Sequence, residues 1–148
     1  MTQLSAALPH PEHDAQFYSG VATKRLVAWL LDAGLMMLIC VIFGIVTLGI
    51  GFLLLPVVFV FIDAIYRWMT LSGRSATLGM RLVGIEFRNG RGERFDAAEA
   101  ALHTAAYIGC WIVMPLQLIS ALMMGVNEGG RGLPDMLLGS ACINSPDE

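Results

Sequence analysis

Residues 25–71 read RLVAWLLDAGLMMLICVIFGIVTLGIGFLLLPVVFVFIDAIYRWMTL. Between residues 26 and 66 the only formally charged side chains are Asp32 and Asp63. One membrane crossing takes about 20 apolar residues. The stretch therefore holds two crossings, expected at 26–46 and 52–69, and each carries one carboxylate. An acid in hydrocarbon is unfavourable unless it is paired, and ionisable groups inside a membrane are functional candidates. Residues 47–51 carry no charge and two glycines, which permit the chain to reverse. Pro56 falls near the first turn of the second helix, where proline is tolerated. Trp29, Tyr66 and Trp68 would form an aromatic belt at one face of the membrane.

Depth counting around this hairpin suggests partners. Asp32 lies 18 residues before Ile50 and Arg67 lies 17 after it, so a cross-helix Asp32–Arg67 pair is expected. Asp63 precedes Arg67 by four residues, the spacing of an intrahelical ion pair. One arginine would then bridge both acids. Arg25 precedes Asp32 by seven residues, on the same helix face and ~10 Å away along the axis.

Composition agrees with the hairpin. The 148 residues allow one domain, with 56% hydrophobic and 14% charged side chains. Soluble domains carry roughly 25% charged residues and give their helices a polar face. The net charge of −3 hides an asymmetry. The tail before Lys24 holds Glu12 and Asp14 without Lys or Arg, whereas residues 72–95 hold Arg74, Arg81, Arg88, Arg91 and Arg94 against Glu86 and Glu93. A basic loop beside apolar segments marks the cytoplasmic side and suits anionic lipid headgroups. Being short and tethered to the bilayer, it argues against nucleic acid as a partner. The first apolar run is too long for a signal core, so the first helix is expected to remain as an anchor.

Residues 1–24 are expected to be a flexible cytoplasmic tail and residues 25–145 the membrane domain. His10 and His13 lie in this Pro-broken tail, which argues against a metal site. Within the basic loop, 72–99, residues 72–75 read as irregular chain. Val83, Ile85 and Phe87 alternate with Gly84, Glu86 and Arg88, the period of a strand. Asn89-Gly90 is a strong hairpin signal, and residues 91–95 would return as its second strand. Asp96 and Glu99 have the spacing of a capping box. The third apolar segment, 100–126, contains His103, Pro115 and Gln117. Pro115 should kink or break it. One kinked crossing and a re-entrant pair of half-helices both fit. His103, near Tyr107, reads as a hydrogen-bonded interfacial histidine. Residues 140–143 read as a short strand. Cys40, Cys110 and Cys142 are widely spaced and read as buried small hydrophobes.

These readings give an all-α membrane protein. It has a transmembrane helical hairpin, a third Pro-interrupted apolar segment and a small cytoplasmic β-hairpin. No catalytic triad order, metal-binding motif or phosphate-binding glycine loop is present, so neither an enzyme nor a cofactor is expected.

The order of short motifs resembles a known family. Phe17-Tyr18 followed by KRLVAWLLDAGL, then SATLGMRLVGIEFRNGRGERFDAAEA, then LPDMLLGSACI, is similar to the RDD family of small bacterial membrane proteins, named for one arginine and two aspartates. Arg25 and Asp32 match the arginine and first aspartate, and Asp135 the second. The chain has Leu78 and Met80 where the family often has Pro and Lys, and Pro134 where it often has His. The resemblance implies a multi-pass inner-membrane protein, and ion or proton exchange has been proposed for some members. It also implies a cluster of Arg25, Asp32 and Asp135 beside Asp63 and Arg67. Asp135 then lies on the side of the first helix's N-terminus, and the strand near Ile143 could pair with the Val83–Phe87 hairpin, both with the third segment returning to that side.

Two functions follow. One is a non-catalytic partner, scaffold or assembly element whose charged cluster is structural. The other is an ion or proton antiporter-like transporter working as an oligomer, because so few helices hardly enclose a pathway alone. Expected partners are the lipid bilayer and a second copy or another membrane protein.

Overall fold

The computed structural model describes residues 7–146. Its elements in order are α1 (Val21–Val46), α2 (Ile50–Leu53), α3 (Leu55–Arg74), α4 (Leu78–Leu82), β1 (Ile85–Arg88), α5 (Ala97–Ile112), α6 (Met114–Val126), α7 (Leu133–Leu138) and β2 (Ala141–Asn144). The molecule is mostly helical, with a small two-stranded antiparallel sheet.

The long helices are turned inside out relative to soluble ones. Along α1 the buried residues are Val21, Ala28, Asp32, Met36, Cys40 and Gly44, a seam at fourfold spacing from Ala28 onward in which most groups are small or polar. Leu26, Leu30, Leu38, Ile42 and Val46 point outward and are exposed. On α3 the buried set is Asp63, Arg67 and Leu71, while Val57, Phe61, Ile65 and Trp68 are exposed. Polar and small residues inside with large apolar residues outside is the pattern of helices solvated by lipid. Residues Ala15–Val46 and Leu55–Arg74 are long and apolar enough to cross a membrane.

The reversal between them comes where glycine and threonine allow it. Gly49 takes φ +90°, a left-handed value, and Thr47 Oγ1 accepts from Gly51 N at 2.8 Å. Phe52 lies on Gly44, where a Cβ would come within 2.4 Å of its ring. Pro56 sits in the first turn of α3. This helix runs on to Arg74, so residues 72–74 are helical rather than irregular. Ser75 then ends it in the left-handed region at φ +55°.

The expected β-hairpin does not form. β1 pairs instead with β2, in the register Ile85↔Asn144, Glu86↔Ile143, Phe87↔Cys142 and Arg88↔Ala141. Asn89-Gly90 still turns the chain, but Asn89 Oδ1 accepts from both Arg91 N and Glu93 N, at 3.0 and 2.9 Å. Those donors close the turn on itself. On the other side of β1, Phe87 N donates to Ser75 O at 2.7 Å, and Phe95 N donates to Ser75 Oγ at 2.5 Å. Both edge groups that a return strand would need are therefore committed to Ser75.

One core gathers Val21, Ala28, Leu71, Ala76, Met80, Ile85, Phe87, Phe95, Ala100 and Cys142. It brings together the start of α1, the end of α3, the start of α5 and the sheet. The predicted capping box fixes where α5 begins: Asp96 Oδ1 accepts from Glu99 N at 2.8 Å, and Glu99 Oε2 from Asp96 N at 3.1 Å. The third apolar segment breaks at Val113, with Pro115 in the first turn of α6, and the two halves meet at 116°.

The described part of the N-terminal tail is packed rather than loose. Tyr18, Ala141 and Ile143 form a second buried cluster with Leu8 and Phe17 against it. Tyr18 Oη donates to Pro9 O at 2.7 Å, and Asn144 Nδ2 donates to Gln16 O and Ser19 O at 2.9 and 3.0 Å. Ala141 and Ile143 of β2 supply the apolar surface that the tail packs on. Residues 1–6 of the expected flexible tail lie outside the described residues.

Candidate functional site

The five charged residues singled out by sequence do not form one cluster. They fall into three separate sets, each with its own partners.

The first set joins α1, α5 and α7. Arg25 Nη1 donates to Asp135 Oδ2 at 2.5 Å and to Gly130 O at 2.9 Å. Asp135 is the third residue of α7, and its Oδ2 also accepts from Gly132 N at 2.9 Å, satisfying one orphan donor at that helix start. Its other oxygen lies 2.9 Å from His103 Nε2. Asp135 is fully buried. Burial pushes its carboxyl up, but Arg25 and then His103 more than offset this and hold it well below the ordinary carboxylate range. His103 thus makes the hydrogen bond expected of it, and its ring is buried 4.4 Å from Phe87 and 5.5 Å from Phe95 between centroids. Arg25 also lies over Phe87, at 5.2 Å from its centroid.

The second set is built on Asp32. Its Oδ1 accepts from Tyr66 Oη at 2.6 Å and Gly79 N at 2.9 Å, and its Oδ2 accepts from Thr77 Oγ1 at 2.6 Å. Thr77 is itself the N-cap of α4, accepting from Met80 N at 3.2 Å. Tyr66 Oη further accepts from Leu78 N at 2.9 Å. A carboxylate beside exposed backbone donors at a helix start is favoured by charge and by geometry. The close approach requires glycine: a Cβ on Gly79 would stand 2.3 Å from Ala28 O and 2.9 Å from Asp32 Oδ1.

The third set is Asp63 with Arg67, Nε to Oδ2 at 3.1 Å, one helical turn apart as the spacing predicted. The Arg67 guanidinium lies 3.8 Å from the centre of the Tyr107 ring. Tyr107 Oη accepts from Trp29 Nε1 at 3.0 Å, and Trp29 stacks on Trp111 at 6.0 Å. A cation over an aromatic face is stabilised by the ring quadrupole.

The expected Asp32–Arg67 pair is absent among the described residues. Tyr66, one residue earlier, takes that place, because α3 turns Arg67 towards α5. Trp29 and Tyr66 are spent on inward contacts, so of the expected belt only Trp68 is an exposed aromatic, with its Nε1 donating to Ala97 O at 3.0 Å. Sequence reasoning missed Tyr66, Thr77 and Gly79 as partners of Asp32, and His103 as a partner of Asp135. The signal for Tyr66 was present, since its depth matches Asp32 to within one residue of the match that Arg67 gives.

The three cysteines are free and buried. Burial pushes the Cys142 thiol up to about 12, though Arg25 draws it down. In the tail, the His10 and His13 rings approach to 4.9 Å, and ligand atoms of His10, Glu12 and His13 lie within 4.8 Å of one another on an exposed surface.

A family model described as the RDD family matches residues 20–139, most of the chain. No curated protein and no solved structure matches it.

Proposed function

Because the chain belongs to the RDD family, we propose that it is a multi-pass protein of the bacterial inner membrane, acting there as a non-catalytic partner, scaffold or assembly element. The observation that carries this reading is the pairing of Asp32, Asp63 and Asp135 with neighbouring helices or turns. Asp32 accepts three hydrogen bonds, Asp135 is held by Arg25, His103 and Gly132 N, and Asp63 is paired with Arg67. Charges paired or hydrogen-bonded in this way suit a lock on helix position better than a site that must exchange cations.

In this reading the N-terminus is cytoplasmic and α5–α6 re-enter the membrane from the cytoplasmic side. Support comes from the 116° bend, from the five arginines between residues 74 and 94, and from Asn144, which bonds to Gln16, Ser19 and Lys24 and so keeps both ends of the described chain together. Green fluorescent protein fused after Pro146 would fluoresce, and alkaline phosphatase fused there would be inactive. An active phosphatase overturns this topology. The bilayer covers the apolar faces of α1 and α3, and a second copy or another membrane protein is the working partner.

Transport by an oligomer is the second reading, favoured by one contact: His103 on Asp135, two titratable groups touching in a buried site. Vesicles containing the purified chain separate the two. Under an imposed sodium or proton gradient, the scaffold reading expects the same background flux with the native protein and with Asp32→Asn. Flux that the native protein carries and Asp32→Asn abolishes overturns it.

A further inference from the structure

A cavity of about 260 Å³ opens beside the end of α3, lined by Arg74, Arg81, Arg94 and Glu86 together with Gly84 and Ser145. Three guanidinium groups therefore share one recess. Arg74 is exposed in the last turn of α3. Arg81 is anchored through Nε, which donates to Ala76 O at 3.2 Å, and its side chain lines the recess. Arg94 is oriented by Glu86 Oε2 at 3.2 Å. The acid does not cancel the recess, because Glu86 is also paired with Arg88 from outside the lining and accepts from Ser145 Oγ at 3.2 Å. Guanidinium forks match the oxygens of a phosphate in geometry and charge.

Exposed apolar residues sit on the same two helices as Arg74 and Arg81. Leu78 and Leu82, four residues apart on one face of α4, are 44% and 77% exposed, although Arg81 between them lines the cavity. Trp68 and Met69 are exposed a little more than one turn before Arg74. A soluble anion has no use for such neighbours. A phospholipid does, since its phosphate can enter the recess while its acyl chains lie along leucine and tryptophan.

We propose that this recess is a binding site for the phosphate of an anionic glycerophospholipid, with Arg74 and Arg81 as its principal contacts and α4 lying in the membrane interface. The proposal rests on the membrane reading above. A chain that still partitions into membranes but shows no lipid preference overturns the site and leaves that reading standing.

The test is native mass spectrometry of the full chain released from detergent, offered phosphatidylglycerol or phosphatidylcholine, with inorganic phosphate as competitor. Basic residues near an anionic headgroup contribute enough that phosphatidylglycerol should be retained about tenfold better than phosphatidylcholine. Arg74→Gln combined with Arg81→Gln should reduce that preference to within about twofold. Arg91→Gln, a substitution of an exposed arginine outside the recess, should leave it unchanged. Should the double variant fail to fold, Arg74→Gln alone, at an exposed position, must still lose part of the preference. Equal retention of the two lipids by the native chain overturns the proposal, as does full preference in the variants. Displacement of phosphatidylglycerol by millimolar phosphate also overturns it, and assigns the recess to the free anion.

Discussion

Arg25 and Asp135, 110 residues apart in sequence, are joined at 2.5 Å, and Asp135 has no exposed surface. Removing one member of a buried pair leaves the other uncompensated, which costs about 3–5 kcal/mol. Asp135→Asn and Arg25→Gln should each lower the thermal unfolding midpoint in detergent. The double substitution should be less damaging than the sum of the two, because it removes both charges together. A strictly additive double mutant would show that the pair contributes nothing beyond its separate contacts.

The same carboxylate predicts an acid limb in the stability profile. Its folded pKa lies below its unfolded value of about 4. A depressed acid contributes stability above the unfolded pKa and loses it as pH falls towards the folded one. The midpoint should therefore be insensitive to Asp135 between pH 5 and 8, on the order of those bounds, and fall below about pH 4. Asp135→Asn should flatten that fall. Midpoints recorded against pH for both proteins supply the check.

Gly79→Ala tests the approach of α4 to α1. The added methyl would stand 2.3 Å from Ala28 O, a backbone atom that cannot swing aside. Overpacking of this kind costs about 1–3 kcal/mol, and here it also separates Gly79 N from Asp32. A large drop in folded yield is expected. Gly73→Ala, with open space around it, should behave like the native chain.

Charge exchange distinguishes the two partners offered to Arg67. Exchanging Asp63 and Arg67, as Asp63→Arg with Arg67→Asp, should recover part of the folded yield lost in either single substitution. Exchanging Asp32 and Arg67 in the same manner should recover none, since Asp32 is held by Tyr66, Thr77 and Gly79. Rescue by the second exchange would contradict the arrangement of α3.

Much of this fold can be read from the chain because membrane helices and caps are local. The apolar runs, Pro56 in the first turn of α3, the Asp96–Glu99 box and the Asp63–Arg67 turn all depend on spacings of a few residues. What the sequence hides is set by rotation and distant pairing. Depth counting brings both Tyr66 and Arg67 level with Asp32, but only the roll of α3 decides which one faces it. Asn89-Gly90 signals a turn but no return strand follows it, because Asn89 and Ser75 have taken the donors a hairpin needs, whereas the pairing of the 83–87 strand with the one near Ile143, expected once Asp135 is placed beside Arg25, does form. The hydrogen bond of His103 is legible, but its burial against Phe87 and Phe95 is not. The resemblance brought Arg25 and Asp135 together correctly, while Asp32 acquired partners of its own.

The span between Arg25 and Asp135 also sets a clock. A ribosome adds about 5–20 residues per second, so roughly 5–20 s pass between synthesis of the arginine and of its partner. During that time α1 has emerged and Arg25 stands with its guanidinium lifted towards the lipid headgroups. The tail meets Asn144 later still. The helices of the hairpin can thus be joined through Asp32, Tyr66, Thr77 and Gly79 well before Asp135 exists, and α7 adds a later latch to the start of α1. A chain stopped before Leu133 would keep its apolar helices and the Asp32 contacts but lack the Arg25 latch.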